Sequence, residues 1–181
     1  MSEELKILKL VCQRLQKAGV PYMITGSIAA NFYAVPRMTR DIDIVVEIKK
    51  EGIEKLLSLF QKDFYVDQES AEEAVEQKGI FNLIHNECVL KVDLIVRKDS
   101  PYRELEFSRR REVKVKGIRV SMVSAEDLIL SKLFWAKDSF SEMQLRDVGN
   151  LLTMVKNIDH SYLSEWIRSL GLEAVYDKVK K

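Results

Sequence analysis

"TGSIAANFYAVPRMTRDIDIVV", Thr25 to Val46, sets a Gly-Ser pair ahead of a short apolar segment and, after Pro36, two aspartates one residue apart at the head of an Ile/Val run. Side chains alternate faces along a strand, so Asp41 and Asp43 share one face while Ile42 and Ile44 point to the other, toward a core. Two carboxylates that close repel each other unless a cation lies against them. Hard divalent ions such as Mg²⁺ or Mn²⁺ take oxygen ligands, and commonly join one or two carboxylates to phosphate oxygens. The pair therefore implies a phosphate-bearing ligand more than a bare structural metal. Gly26-Ser27 supplies the complementary half. Glycine lets the backbone approach a ligand closely, and "SIAANFYA" read as a helix offers free N–H groups and a favourable dipole to an anion at its N-terminus. Ser27 is expected to cap that helix and to donate its hydroxyl to a phosphate. An anion cradle and a cation-binding pair on neighbouring strands are what a nucleoside triphosphate requires.

Outward from this stretch the pattern is α/β. Residues 3–18 carry an apolar helical stripe (Leu5, Leu8, Leu10, Val11, Leu15) that Gly19 terminates, and residues 20–25 form a short strand. Residues 41–48 read as a strand and 51–62 as a helix with Ile53, Leu56, Leu57 and Phe60 on one face. A weak strand follows near 64–66, then the acidic "DQESAEEAVEQK", read as a solvated helix. "IFNLIH" (80–85) and "VLKVDLIV" (89–96) form a hairpin, and "EVKVKGIRVSMV" gives two short strands turning at Gly117. From Ser124, with Asp127 three residues on as a capping box, the pattern is helical. Leu128, Ile129, Leu133 and Phe134 supply the apolar face, and further helices cover 141–155, 160–169 and 172–179. The expected division is an α/β core over 1–123 and a C-terminal helical region, 124–181, packed on it.

Composition bounds the function. A chain of 181 residues, 46% hydrophobic and 31% charged, is sized for one domain, or a domain with a small helical appendage, around a real core. Its net charge of +1 argues for neither strong DNA binding nor a polyanion-like surface. Cys12 and Cys88 stand apart with no CxxC, as free thiols rather than a zinc site. No apolar run approaches the roughly 20 residues that span a bilayer, and the N-terminus is amphipathic and charged, so a cytoplasmic protein is expected.

A third acid completes the chemistry. Asp93 interrupts the apolar strand "LKVDLIV", with Val92 and Leu94 on the opposite face, and phosphoryl transfer with two metals wants a further carboxylate beside the attacking hydroxyl. A salt bridge at a strand edge is the plain alternative for Asp93.

"GS", then "RMTRDIDIVV", then "VDLI", resembles the nucleotidyltransferase superfamily that includes polymerase β-like enzymes. The match falls on Gly26, Ser27, Asp41, Asp43 and Asp93, with Arg37 and Thr39 in the lead-in. The chain looks most like small prokaryotic members related to abortive-infection nucleotidyltransferase toxins and to minimal nucleotidyltransferases. The resemblance covers about residues 20–147. It implies a mixed β-sheet core with flanking helices, and metal-dependent transfer of a nucleoside monophosphate from a triphosphate, ATP among them. Asp41, Asp43 and Asp93 are then both catalytic residues and the ligands of Mg²⁺ or Mn²⁺. Gly26, Ser27, Arg37 and Lys132 are the nucleotide-binding residues. The acceptor hydroxyl is left open among an RNA 3′ end, a protein side chain and a small molecule such as an antibiotic. A toxin with an antitoxin partner, and an inactive nucleotide- or partner-binding module of the same fold, are the other readings.

For Lys132, in a mostly apolar helix, reach toward the triphosphate is weighed against a solvent-side lysine. Arg146-Asp147 reads as an ion-pairing site within or between helices. Arg37 and Arg40 flank the acids, to meet phosphate or pair with them. Arg109, Arg110 and Arg111 with Lys114 and Lys116 read as a solvated loop and strand edge. His85 and His160 are isolated, and Trp135 and Trp166 read as core.

Overall fold

The computed structural model describes residues 2–39, 41–139 and 141–179; Arg40, expected beside the acids, lies outside them. In chain order the elements are α1 (Glu3–Ala18), β1 (Tyr22–Ile24), α2 (Gly26–Tyr33), β2 (Asp41–Val46), α3 (Lys50–Ser58), β3 (Phe64–Tyr65), α4 (Gln68–Gln77), β4 (Ile80–His85), β5 (Lys91–Val96), α5 (Pro101–Ser108), β6 (Arg111–Val115) and β7 (Ile118–Met122). Four helices follow: α6 (Ala125–Ser139), α7 (Glu142–Met154), α8 (His160–Ser169) and α9 (Glu173–Val179).

The strands form one seven-stranded mixed sheet in the order β3-β4-β5-β2-β1-β7-β6. β2 runs parallel to β5 and β1 parallel to β7, and the remaining pairs are antiparallel. The expected hairpins are present, and β6 and β7 turn through Lys116 and Gly117, both at positive φ (+46° and +87°). A two-residue turn with both φ values positive matches the twist of the strands it joins.

Alternation on the two central strands decides which face is core. Ile42, Ile44 and Val46 on β2 and Val92, Leu94 and Val96 on β5 are all buried, while Asp41, Asp43 and Asp93 lie on the other face. Burying each of these six apolar chains contributes about 1.5–3 kcal/mol, together more than the roughly 4 kcal/mol by which two unit charges about 4 Å apart near a protein surface oppose it. The sheet therefore tolerates its acids, and packing wins. The same core cluster continues through Leu128, Leu133, Val148, Leu151, Leu163 and Ile167 of the C-terminal helices.

Three local features differ from the sequence expectations. Helix α5 occupies a stretch to which the sequence pattern assigns no element; Ser100 caps it, accepting from the Arg103 amide at 3.4 Å, and Pro101 opens it. The acidic helix α4 is not wholly solvated, since Ala71, Ala74 and Val75 pack into the core. Phe134 (46% exposed) and Trp135 (63%) are not core. Helix α6 is enclosed from Ala125 to Leu133 and emerges from the body in its last turns, which brings these two rings to the surface. Trp166 is half-buried beside Tyr102, with ring centroids 4.9 Å apart.

Candidate functional site

The parallel register of β2 and β5 sets Asp43 directly opposite Asp93, and Asp41 opposite Lys91. The end of β1 closes on the same place. The Thr25 amide donates to the Asp43 carbonyl at 3.0 Å, so the chain enters α2 at Gly26 immediately beside the Asp43 side chain. Gly26 sits at φ +62°, and a Cβ there would overlap the Asp43 carboxylate. Backbone and carboxylate approach this closely only because position 26 is glycine. Gly26→Ala is expected to add about 1–3 kcal/mol of backbone strain and to drive a methyl into Asp43. Thermal melting should show the destabilisation, and a Gly26→Ala variant as stable as the parent would contradict the geometry.

The acids form an electrostatically uncomfortable cluster. Burial, and then the charges of Asp93 and Asp41, push the Asp43 carboxyl above the usual carboxylate range, against the opposing pull of Lys132 and Lys91. Asp93 Oδ1 is buried without a hydrogen-bond partner, while its Oδ2 accepts from the Lys91 ammonium at 3.0 Å. That ammonium also lies 3.9 Å from Asp41 Oδ1. Among the described residues no group of three or more His, Cys, Asp or Glu side chains is gathered to hold a metal by itself. What the strands bring face to face is the Asp43/Asp93 pair, with exposed Asp41 linked to it through Lys91. An orphaned buried carboxylate oxygen facing a second carboxylate is oxygen chemistry that fits a hard divalent cation completed by phosphate.

A second cluster flanks the glycine turn. Ser27 is not the cap of α2. Thr25 holds that position and makes no side-chain cap bond, which places Ser27 inside the first turn. The Ser27 hydroxyl instead accepts from Arg37 Nη2 at 2.7 Å. Arg37 is aimed by Asn31, whose side-chain amide donates to the Arg37 carbonyl at 2.7 Å and whose Oδ1 accepts from the Arg37 amide at 2.9 Å. Its guanidinium forks onto Asp147 at 3.2 and 3.0 Å. Lys132 meets the same carboxylate at 2.8 Å and also donates to Gln144 Oε1 at 3.0 Å. Lys132 is buried, so it is not a solvent-side lysine, and Asp147 is the interhelical ion-pairing partner its sequence context suggests. Asn31 and Gln144 carry no recognisable signal in the sequence, because their parts depend on the α2–β2 loop and the α6–α7 packing.

Burial pushes the Asp147 carboxyl up, but the hydrogen bonds and charges of Arg37 and Lys132 outweigh it and hold it below the ordinary carboxylate range. A depressed folded pKa stabilises above the unfolded value and is lost as the pH falls through the folded one. The melting-temperature gap between the parent and Asp147→Asn is therefore expected to be widest near neutrality and to narrow below about pH 4. A gap constant down to about pH 3 would contradict this pairing.

Away from these two clusters, Arg109 is not simply solvated. It donates to Asp127 at 2.9 Å and lies 3.9 Å from the Tyr162 ring centre. Asp127 is fully buried and also accepts from Ser124 at 2.5 Å, Tyr162 at 2.6 Å and Tyr102 at 3.4 Å, while its amide donates to Ser124 Oγ at 3.1 Å, the expected capping pair. His85 is not isolated, since its Nδ1 lies 3.1 Å from the Cys88 sulfur. Both cysteines are free, and burial pushes the Cys12 thiol up to about 12.

No family model matches the sequence, and no curated protein matches it. Solved structures do. An antigenic nucleotidyltransferase-like protein from Paracoccidioides brasiliensis superposes with a TM-score of 0.63 at 18% identity, covering 95% of this chain and 91% of that one. The antibiotic-resistance factor ANT(2″)-Ia gives 0.60 at 13% identity over 98% and 95%. The lincomycin-bound lincosamide antibiotic adenylyltransferase LnuA gives 0.56 at 16% identity over 86% and 99%. The chain has the nucleotidyltransferase fold. Among the described residues no helix is long and apolar enough to cross a membrane.

Proposed function

We propose that this protein transfers a nucleoside monophosphate from a nucleoside triphosphate to a hydroxyl, releasing pyrophosphate. The observation that carries the reading is the facing pair Asp43/Asp93, with its unpartnered Asp93 oxygen, set against the Gly26 turn. Asp43 and Asp93, with Asp41 at the rim, are the residues to hold Mg²⁺ or Mn²⁺, which when bound supplies Lewis-acid stabilisation of charge developing on the phosphoryl oxygens. The turn at Gly26-Ser27 brings backbone N–H groups to the phosphates. Arg37 and Lys132 neutralise the triphosphate, exchanging part of their hold on Asp147 for phosphate oxygens. Asp93 takes the proton of the acceptor hydroxyl as its oxygen bonds to the α-phosphorus and the bond to the bridging oxygen breaks, so that pyrophosphate leaves.

The fold neighbours support a hydroxyl acceptor. ANT(2″)-Ia is known in complex with adenylyl-2″-tobramycin, and LnuA is named for adenylyl transfer to lincosamides. The test is incubation with each α-³²P-labelled nucleoside triphosphate, Mg²⁺ and a cell extract, followed by separation of labelled small molecules, RNA and protein. One labelled product class, dependent on Mg²⁺ and accompanied by pyrophosphate, is the expected result. Absence of label in all three fractions would leave a nucleotide-binding module instead.

A further inference from the structure

Lys91 belongs to no part of the nucleotide cradle, yet it is the only described cation with hydrogen-bond or ion-pair contact to the acids of β2 and β5. It stands opposite Asp41 in the register and two residues before Asp93, on the face that carries the acids. Its ammonium is 3.0 Å from Asp93 Oδ2 and 3.9 Å from Asp41 Oδ1. The neighbouring cations are engaged elsewhere, Lys132 with Asp147 and Gln144, and Arg37 with Asp147 and Ser27. Among the described residues, Asp41 and Asp93 therefore share one ammonium beside Asp43, at the place where a divalent ion would need the same oxygens.

We propose that Lys91 is the resident counter-cation of this site: its ammonium holds Asp41 and Asp93 in the metal-free protein and must give up its place when a divalent cation arrives with the nucleotide. The inference rests on the functional reading above and adds a residue that sets the order of binding. A doubly charged ion entering beside a retained ammonium meets repulsion, whereas phosphate oxygens arriving with it supply negative charge and give the lysine a new partner. Metal alone then binds weakly and metal with nucleotide binds tightly, a coupling that acts equally on both ligands. The Lys91 side chain is 41% exposed, so solvent tempers the effect and also leaves it free to swing out.

The test compares Mn²⁺ binding to the parent, Lys91→Gln and Lys91→Arg by calorimetry and by water-proton relaxation, with and without a non-hydrolysable α,β-methylene ATP. Lys91→Gln is expected to bind Mn²⁺ alone on the order of tenfold more tightly than the parent, narrowing the gain that nucleotide confers. Lys91→Arg keeps the charge and should stay near the parent. Affinity unchanged in Lys91→Gln would reduce Lys91 to a surface ion pair, and weaker affinity would make it a support that orients Asp93; either result overturns the proposal. The functional reading fails differently. In that case no variant, nor the parent, binds Mn²⁺ even with nucleotide, and the proposal falls with it.

Discussion

Asp43→Asn is expected to leave the protein folded while lowering nucleotidyl transfer by at least about 10²–10³-fold, the scale on which loss of electrostatic stabilisation of a developing charge is felt. The substitution keeps shape and removes charge from the one acid that the sheet presses between burial, Asp93 and Asp41. Because those causes raise the folded pKa, the parent loses stability as the pH climbs through it and recovers that stability in acid. The neutral asparagine has no such loss. Its melting temperature should therefore match or exceed that of the metal-free parent at neutral pH, with the advantage vanishing toward about pH 3. Melting curves and labelled transfer, measured side by side, check both halves. An active Asp43→Asn protein would show that the catalytic carboxylates lie elsewhere.

Asp127→Ala is expected to be strongly destabilising. Asp127 is 0% exposed, and its two oxygens are surrounded by Ser124, Arg109, Tyr162 and Tyr102. Truncation removes the acceptor shared by three hydroxyls and the Arg109 guanidinium, which keeps only Glu126 at 3.7 Å, and breaking such a buried pair costs about 3–5 kcal/mol. For a chain of this size that corresponds to a melting temperature lower by about 10 °C. Denaturant unfolding gives the free energy directly, and a loss under about 1 kcal/mol would mean that water replaces the carboxylate readily. Transfer activity at low temperature should survive, because this network joins α5, α6 and α8 and does not touch the acids of β2 and β5.

Much of this architecture is legible in the sequence. Alternation of Asp41, Ile42, Asp43 and Ile44 defines both the strand and its core face, and the same period in "KVDLIV" brings Asp93 to the correct side. What linear reading lacks is register. That Asp43 faces Asp93, and that Lys91 therefore reaches both Asp93 and Asp41, depends on how β2 slides along β5. Ser27 looks like a helix cap from its residue type, but the close approach of Gly26 to Asp43 starts the helix two residues earlier and releases the hydroxyl to Arg37. Helix α5 is hidden because Arg97, Lys98 and the arginines at 109–111 dominate the composition around it, while its own signal is only Ser100-Pro101 and a short run of mixed polarity. Trp135 and Phe134 fit an apolar stripe, and nothing in the pattern says where a helix leaves the body. Lys132 and Asp147 each suggest a partner, and only the packing of α6 against α7 shows that they are partners of each other.

The most direct measurement is anomalous diffraction from crystals grown with Mn²⁺ and α,β-methylene ATP. A manganese peak is expected against the carboxylates of Asp43 and Asp93, with the triphosphate lying over Gly26-Ser27 within reach of Arg37 and Lys132. Manganese and nucleotide bound anywhere else, with Asp43 and Asp93 still contacting only protein, would contradict it.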